Sequence, residues 1–210
     1  MGAMRSATRA GPFTAAELAA LPDDGHLYEV VDGVLYGYRF TRAERDARSD
    51  DGRRHELIDG TLVVTPAPAW RHQDVVLSLA TLLRAACPAE LKVFVAPLDV
   101  TLGGLTVVEP DVLVVPRSAL GERVLVGLPS LAMEVLSPST RRLDLTRKRS
   151  RYEEAGVASY WVIDPDEPRL IAWDLGDGAY VQVADICGTE AYDAALPFPV
   201  TVVPQDVVAD

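Results

Sequence analysis

Apolar and polar positions recur with different periods along the chain, and each period predicts a type of secondary structure. Residues 72–86 carry apolar side chains at positions 75, 76, 79, 82 and 83, which is the spacing of one helix face. Short apolar runs bounded by Pro, Gly or Asp predict strands instead. These runs lie at 92–100, 106–115, 131–136 and 160–164, and a second helix is predicted over 143–155. The order of the elements predicts a mixed α/β fold with a central sheet and helices on its faces.

One stretch of the chain occurs twice with variation. Residues 23–35 read DDGHLYEVVDGVL, and residues 50–62 read DDGRRHELIDGTL. In both copies Asp-Gly separates two apolar runs, which predicts a β-hairpin with a two-residue turn. A short helix is predicted in front of the first hairpin, and residues 40–54 are expected to be a polar linker or a short exposed helix. We interpret the repetition as a partial duplication that inserted about 27 residues.

Length and repetition together predict how the chain is organised. With 210 residues, the protein is expected to form one domain. No apolar run approaches the ~20 residues of a membrane span. Only Cys87 and Cys187 are present, so reduced thiols and a cytoplasmic location are expected. The predicted parts are an N-terminal segment with a short helix (1–22), an inserted duplicate hairpin with its linker (23–49) and the core (50–210).

The net charge and the absence of known motifs argue against several classes of function. The net charge of −11 argues against a general nucleic-acid binder, because phosphate attraction needs clustered Lys and Arg. Residues 141–151 depart from this balance, with six basic residues and one acid. The chain has no GxxxxGKS/T, GxSxG or HExxH motif, so phosphate-loop, serine-hydrolase and zinc-protease chemistry are not indicated.

Three carboxylates are notable for the residues around them. Glu134 lies inside the apolar run LAMEVL, Asp111 opens the run VLVV, and Glu56 heads HELI. A carboxylate in a buried strand is costly unless it is paired or binds an ion. Glu134 is therefore expected either to pair with a nearby arginine at the strand end or to converge with Asp111 on a divalent cation. Mg²⁺ suits the second arrangement because it needs only one or two protein carboxylates, and the Val135 carbonyl is a candidate further ligand.

Asp144, Lys148 and Tyr152 are spaced four residues apart and share one face of the second predicted helix. Lys148 is notable because 18 of the 20 basic residues are arginine. A lysine on this face could polarise a water near Glu134, whereas the alternative is a solvated face with an Asp144–Lys148 ion pair. His72 could line the same site, although a lone histidine at a helix start is more often a cap or a surface residue.

Five motifs follow one another between residues 50 and 165: ELIDG, TPAP–HQ, EPDVLVV, MEVLSPST and D-x3-K-x3-Y-x3-GV-x2-YWVIDP. Together they resemble the Uma-two-like family of putative restriction endonucleases, in the PD-(D/E)XK nuclease superfamily. The resemblance implies a restriction-endonuclease-like central mixed sheet flanked by helices, here with an additional N-terminal β-hairpin. It also implies a carboxylate-held Mg²⁺ or Mn²⁺ and hydrolysis of phosphodiester bonds in nucleic acid, with DNA as the expected partner.

The family motifs assign roles to particular residues. Asp111 matches the aspartate of PD and Glu134 matches the (D/E) of (D/E)XK, so both are the implied metal ligands. Leu136 stands where the motif has its lysine, and Lys148 on the following helix matches the position that replaces that lysine in this family. Glu56 matches a glutamate near the site.

Other candidates are less specific. Asp144 and Tyr152 match the other helix-face positions of the family, without an assigned role. Glu29, which is the equivalent of Glu56 in the first hairpin, is the rival for a place in the site. The basic residues expected to contact substrate phosphates are Arg141, Arg142, Arg147 and Arg149.

The leading hypothesis is a metal-dependent endonuclease in which Lys148 positions the attacking water or stabilises developing charge. The alternative is a nuclease-fold module with weak or no catalysis that binds a partner or self-associates. A third hypothesis is hydrolysis of a phosphoester outside nucleic acid. A homodimer is expected from the family resemblance, and no membrane partner is expected.

Overall fold

The computed structural model describes residues 11–21, 26–48, 52–122 and 124–208. Parts of the predicted N-terminal segment, 1–22, and the first residues of both repeated stretches lie outside these ranges. The strands are β1 (Leu27–Val31), β2 (Val34–Tyr38), β3 (Arg54–Ile58), β4 (Thr61–Thr65), β5 (Leu91–Val95), β6 (Val100–Gly103), β7 (Thr106–Val108), β8 (Val112–Pro116), β9 (Leu131–Val135), β10 (Ser159–Asp164), β11 (Arg169–Gly176), β12 (Ala179–Cys187), β13 (Tyr192–Ala194) and β14 (Val200–Val202).

Helices connect and cover these strands. They are α1 (Ala15–Ala19), α2 (Arg42–Asp46), α3 (Trp70–Ala86), α4 (Arg141–Leu143), α5 (Arg149–Ala155) and α6 (Pro204–Val208), with a 3-10 turn at Arg117–Ala119. A π-helical turn, Asp144–Lys148, joins α4 to α5, and the whole segment 141–155 is called the Lys148 helix below. Within the described ranges, no helix combines the length and the apolar character that crossing a membrane requires.

The central sheet has the strand order β12-β11-β10-β9-β8-β5. It is mixed, because β9 and β10 run parallel while the other neighbours are antiparallel. On one face α3 packs through Val75, Leu79 and Leu83, with α6 beside it. The Lys148 helix covers the other face. The predicted fold class, a mixed sheet flanked by helices, is confirmed.

Strand β9 shows how the local pattern orients Glu134. Alternate residues of a strand face opposite sides of a sheet. Leu131, Met133 and Val135 belong to the core under α3, whereas Ala132 belongs to the core under the Lys148 helix. Glu134 therefore points toward the Lys148 helix. All five residues of β9 are buried, as expected for a strand covered on both faces.

A second, antiparallel sheet has the order β1-β2-β4-β3-β7-β6 and contains both predicted hairpins. The first hairpin, β1–β2, forms its edge and pairs with β4 of the second hairpin. A cluster of buried side chains from both hairpins joins them. Its members are Leu35, Phe40, Leu57, Leu62, Val64 and Val107. The additional N-terminal hairpin is thus part of a continuous sheet with its own packed core.

The repeated unit extends beyond the hairpins. Helices α1 and α2 both begin with a capping box, formed by Thr14 with Glu17 and by Thr41 with Glu44. The residue before each capping threonine is phenylalanine, and its N–H donates to the second turn residue of the following hairpin. These bonds are Phe13 N to Gly33 O at 2.9 Å and Phe40 N to Gly60 O at 2.8 Å. Each copy is therefore a helix followed by a hairpin, and residues 40–54 contain the helix of the second copy. The boundaries 23–49 for the inserted segment stay a prediction.

Two predicted strands are each divided into two. The predicted strand 106–115 is wrong, because β7 belongs to the second sheet and β8 to the central sheet. The chain crosses between the sheets at residues 109–111, where Pro110 has no N–H to donate to a ladder. The predicted strand 92–100 is divided in the same way into β5 and β6, with Pro97 between them. Asp111 consequently lies at the junction of the two sheets.

Candidate active site

Lys148 is the centre of a buried cluster of carboxylates. Its side chain is only 2% exposed. The Lys148 Nζ lies 2.9 Å from Glu56 Oε1, 3.1 Å from Glu134 Oε1 and 3.4 Å from Asp144 Oδ1. The Tyr152 hydroxyl donates to the same Glu134 oxygen at 3.3 Å. Side chains from β3, β9 and the Lys148 helix thus converge on one ammonium group.

Asp111 lies beside this cluster and is held by three donors. Arg54 Nη2 donates to Oδ1 at 2.8 Å, and the Val135 N–H donates to Oδ2 at 2.8 Å. His72 Nε2 lies 3.2 Å from Oδ2. The bond from the Val135 amide fixes Asp111 next to the strand that carries Glu134. His72, at the start of α3, therefore does line the site.

The structure decides between the alternatives for Glu134 and Lys148. Glu134 pairs with Lys148, so the expectation of an arginine partner is wrong. The alternative of a solvated helix face is wrong as well, because Asp144, Lys148 and Tyr152 are all buried. The π-helical turn between Asp144 and Lys148 gives the helix a locally wider turn at the point where it faces the sheet.

The environments of Asp111 and Glu134 move their pKa values in opposite directions. Burial acts to raise the pKa of Asp111, but the charge of Arg54 and the hydrogen bonds from His72 and Val135 hold it well below the usual range. Burial raises the pKa of Glu134 well above its usual value, and the charge of Lys148 offsets this only in part. Nearby titratable groups with pKa values pushed apart are typical of catalytic sites.

Lys148 and Asp144 are affected by the same crowding. Burial acts to lower the pKa of Lys148, but the charges of Glu134, Glu56 and Asp144 raise it well above its usual value. Lys148 is therefore a protonated donor rather than a base. Burial raises the pKa of Asp144 to about 6 against the opposing charge of Lys148. Oδ1 of Asp144 is buried without a hydrogen-bond partner.

These groups form the floor of a cavity of about 290 Å³. Its walls include the Pro-rich connection 65–69 before α3 and residues 135–140 after β9. Arg54 and Arg71 also line it. Buried carboxylates, a buried lysine and flanking arginines in an open cavity are the groups expected where a phosphate is bound and attacked.

A family model decides which proteins this chain is related to. The model of the Uma2 family, described as "Putative restriction endonuclease", matches residues 38–203. The chain belongs to the Uma2 family. The resemblance read from the five sequence motifs is thereby confirmed. The match contains the whole second helix-hairpin copy, whereas α1 and β1 of the first copy lie outside it.

A solved structure has a similar fold. It is described as a "putative nuclease belonging to DUF820" from Anabaena variabilis, and its sequence is 20% identical to this chain. The similarity covers 81% of this chain and 98% of that one, with a TM-score of 0.65. None of the curated proteins compared with the chain matches it. The nuclease-like fold is thus shared with a protein that has few identical residues.

The residues matched to the Uma2 motifs come together, and the rival glutamate does not. Asp111, Glu134, Lys148 and Glu56 all line the cavity. Glu29 is exposed on β1, accepts a hydrogen bond from Tyr38 and lines a separate cleft. The two copies of the repeat therefore place their equivalent glutamates in different surroundings.

The four arginines proposed as phosphate contacts lie at different places in the structure. Two of them contact residues away from the cavity: Arg141 pairs with Asp164, and the Arg149 guanidinium lies 5.2 Å from the ring centre of Trp173. Arg142 and Arg147 line the cleft that contains Glu29. None of the four lines the cavity that contains Lys148. A helix distributes neighbouring residues around its axis, so a basic run in the sequence does not form one basic surface.

Sequence reasoning missed Arg54, Arg71 and Glu109. Arg54 could have been found, because it precedes Glu56 by two residues and so shares its face of β3. Glu109 precedes the Pro-Asp motif, and its N–H donates to Glu56 Oε1 at 2.8 Å. No local pattern indicates that Arg71, at the start of α3, turns toward the cavity.

Arg45 of α2 contacts residues next to the site but does not line the cavity. Its buried guanidinium donates to the His55 carbonyl at 2.8 Å and pairs with Asp99 and with Glu109 Oε1, the latter at 3.1 Å. Glu109 in turn holds Glu56 through its N–H. Arg45 therefore connects the helix of the second copy to the residues directly before Asp111, and we assign it a positioning role.

Replacing Arg45 with methionine is expected to lower the free energy of unfolding by about 3 kcal/mol, because buried Glu109 loses the nearer of its two cationic partners and keeps only Arg54, at 4.0 Å. Urea unfolding followed by circular dichroism measures this change. Arg42→Met is the matched control on the same helix, since the exposed Arg42–Asp46 pair contributes only about 0–0.5 kcal/mol. Equal destabilisation by both variants would contradict a special role for Arg45.

Proposed function

We propose that this protein is a Mg²⁺-dependent endonuclease that hydrolyses phosphodiester bonds in nucleic acid, with DNA as the expected substrate. The observation that carries the proposal is the convergence of Glu56, Asp111 and Glu134 on one cavity around Lys148. The Uma2 family description supports the reaction class. Burying this many charges costs stability, so a catalytic role explains their presence better than a structural role does.

The donor set fits a hard divalent cation. Carboxylates are the preferred ligands of Mg²⁺, and the cavity floor has more carboxylates than permanent cations: Glu56, Asp111, Glu134 and Asp144 against Arg54 and Lys148. Within the described ranges, no group of three or more His, Cys, Asp or Glu side chains is arranged to hold a metal ion by itself. Mg²⁺ needs only one or two protein carboxylates and retains waters, so this observation is compatible with the assignment.

Asp111 and Glu134 would hold the ion, with the Val135 carbonyl as a further candidate ligand and Glu56 close by. A bound Mg²⁺ would supply an activated water and stabilise negative charge on a phosphoryl oxygen. Arg54 and His72 keep Asp111 oriented and ionised.

Lys148 acts as a hydrogen-bond donor and as a positive charge in this proposal. Because its pKa is raised, it donates hydrogen bonds to a water or to a phosphoryl oxygen and does not remove a proton. Glu56 and Glu134 fix its ammonium group, and Tyr152 fixes Glu134 from the same helix face. Asp144 completes the charge surrounding Lys148.

The arginines of the cavity help to reconcile the net charge of −11 with an anionic substrate. Arg54, Arg71 and Lys148 place three positive charges among the carboxylates that line the cavity, and a bound divalent cation would add the positive charge that a phosphate needs. Binding to nucleic acid is expected to be weak at physiological salt, because few cations contact the backbone. A homodimer and a cytoplasmic location stay predictions.

The alternative of a nuclease-fold module without catalysis is supported by two observations. Both oxygens of Asp111 already have partners within the protein, and Lys148 already neutralises part of the Glu134 charge. Carboxylates that are already paired within the protein could stay buried without a bound metal ion. Metal binding distinguishes the two functions.

Calorimetric titration of the EDTA-treated protein with Mn²⁺ or Mg²⁺ tests the proposal. We expect wild type to bind the ion and Glu134→Ala to bind at least about tenfold more weakly, because a direct ligand is lost. Glu122→Ala, at an exposed position, is the matched control and should bind like wild type. Absence of binding to wild type would favour the non-catalytic module, and equal binding to all three proteins would show that the ligand assignment is wrong.

A further inference from the structure

A second cleft lies next to the catalytic cavity. It has a volume of about 620 Å³, within the ~300–1,000 Å³ typical of ligand sites. Residues 138 and 139 line both the cleft and the catalytic cavity, so the two openings are adjacent. We call it the repeat cleft, because one wall is the first hairpin; its side chains relevant here are Glu29, Asp32, Tyr36, Tyr38, Arg142 and Arg147.

We propose that the repeat cleft binds an unpaired nucleotide of the nucleic-acid substrate, beside the phosphate that is cleaved. The inference rests on the proposed nuclease function and specifies how the substrate is held. The matched part of the Uma2 family model begins at residue 38, so the hairpin wall of the cleft lies almost wholly outside the family match. The wall thus belongs to the copy of the repeat that the family model leaves mostly unmatched.

Two free arginines make the cleft suitable for a phosphate. In the basic segment 141–151, Arg141 pairs with Asp164, Arg149 lies over Trp173, and Arg151 pairs with Asp59. Arg142 and Arg147, by contrast, are exposed and form no ion pair with any described residue. They are five residues apart across the π-helical turn, and both line the repeat cleft, so they lie on one side of the helix.

Two tyrosines make the cleft suitable for a base. Tyr36 and Tyr38 are two residues apart on β2, so they share one face of the strand, and both are partly exposed. Aromatic rings stack on nucleobases of any sequence. The equivalent residues of the second copy are Val63 and Thr65, which are buried in the sheet. The aromatic pair is therefore particular to the first copy.

Glu29 and Asp32 indicate what kind of base fits. A carboxylate accepts hydrogen bonds from exocyclic amino groups, such as the N4 amino group of cytosine. Thymine has no amino group. With two carboxylates and two arginines, the cleft is balanced in charge, which suits a whole nucleotide better than a bare phosphate. A base can enter only if it is unpaired, so the cleft should select single-stranded or locally opened substrate.

Binding of fluorescein-labelled twelve-residue oligodeoxycytidylate, measured by anisotropy in EDTA over a series of salt concentrations, tests the proposal. We expect Arg142→Gln and Arg147→Gln each to weaken binding about fivefold at 0.1 M salt, and each to lower the slope of log Kd against log salt by about 0.7. Arg84→Gln removes one charge from the exposed face of α3 and should change Kd by less than about twofold.

Tyrosine variants separate stacking from charge. Tyr36→Ala should weaken binding by about fivefold or more while the salt slope stays as in wild type, and Tyr36→Phe should recover most of the affinity. Oligodeoxythymidylate should bind more weakly than oligodeoxycytidylate to wild type, and Glu29→Gln should reduce that difference.

The outcomes distinguish this inference from the proposed function. If the cleft variants bind like wild type, or if duplex DNA binds as well as the single strand, the repeat cleft is not a nucleotide site, whatever the metal titration shows. If wild type binds no oligonucleotide, the inference is likewise wrong. If the cleft variants lose affinity while wild type binds no Mn²⁺, the cleft is a nucleotide site and the proposed catalysis is wrong.

Discussion

Glu134→Gln is expected to reduce Mg²⁺-dependent cleavage of nucleic acid by about 1,000-fold or more. The substitution keeps the shape of the side chain and removes the charge that would hold the ion, and metal stabilisation of a phosphoryl transition state contributes several kcal/mol. Asp111→Asn should have a similar effect. Cleavage is measured on single-stranded DNA, duplex DNA and RNA, with Glu122→Gln as the exposed control.

Stability provides a check that Glu134→Gln acts on chemistry rather than on folding. The pKa of Glu134 is raised by burial, so its charge is unfavourable in the folded protein, and glutamine should not lower the melting temperature. Full activity of a stable Glu134→Gln protein would contradict the metal-ligand assignment. Activity against small phosphoesters but not nucleic acid would place the substrate outside the proposed class.

Lys148→Met is expected to lower cleavage by about 100- to 1,000-fold and to lower the free energy of unfolding by about 3–5 kcal/mol. The first effect follows from losing a donor to the transition state. The second follows because Glu56, Glu134 and Asp144 lose their shared cation in a buried site. The cleavage rate and urea unfolding measure the two effects. Lys92→Met is the matched control, because Lys92 is exposed and is the other lysine in the sequence.

A double variant separates the structural and catalytic parts of this effect. Lys148→Met with Glu134→Gln removes one positive and one negative charge together, so part of the lost stability should return. Cleavage should stay as low as in the single variants. Recovery of cleavage along with stability would show that Lys148 serves the fold only. Lys148→Arg should fold but cleave poorly, because the planar guanidinium does not match the compact ammonium group.

Most elements were predictable because their signals are local. The helical spacing of residues 72–86 and the Asp-Gly turns of the two hairpins depend only on residues close in sequence, and the structure has α3 and both hairpins there. The apolar run around Glu134 likewise predicted a strand covered on both faces. The division of 106–115 was missed, because the apolar pattern continues across Pro110 although the chain changes sheet there.

The candidate site was predictable where motif and burial agree. Asp111, Glu134, Lys148 and Glu56 come from separate elements, yet each stands out in the sequence by its position within an apolar run or by its rarity. The two arginines that line the cavity were predictable only in part. Arg54 shares the strand face of Glu56 through its spacing of two residues, whereas Arg71 has no local feature that distinguishes it from the other arginines.

The sequence by itself determined the family, the types and order of the elements and the carboxylates near the site, because motifs and periodicity are properties of neighbouring residues. Only the tertiary structure decided which of two equivalent glutamates reaches Lys148. Strand pairing places the second hairpin inside the sheet and the first at its edge, so Glu56 is buried at the cavity and Glu29 faces the repeat cleft. The period of a strand shows which residues share a face, but the surroundings of that face depend on distant parts of the chain.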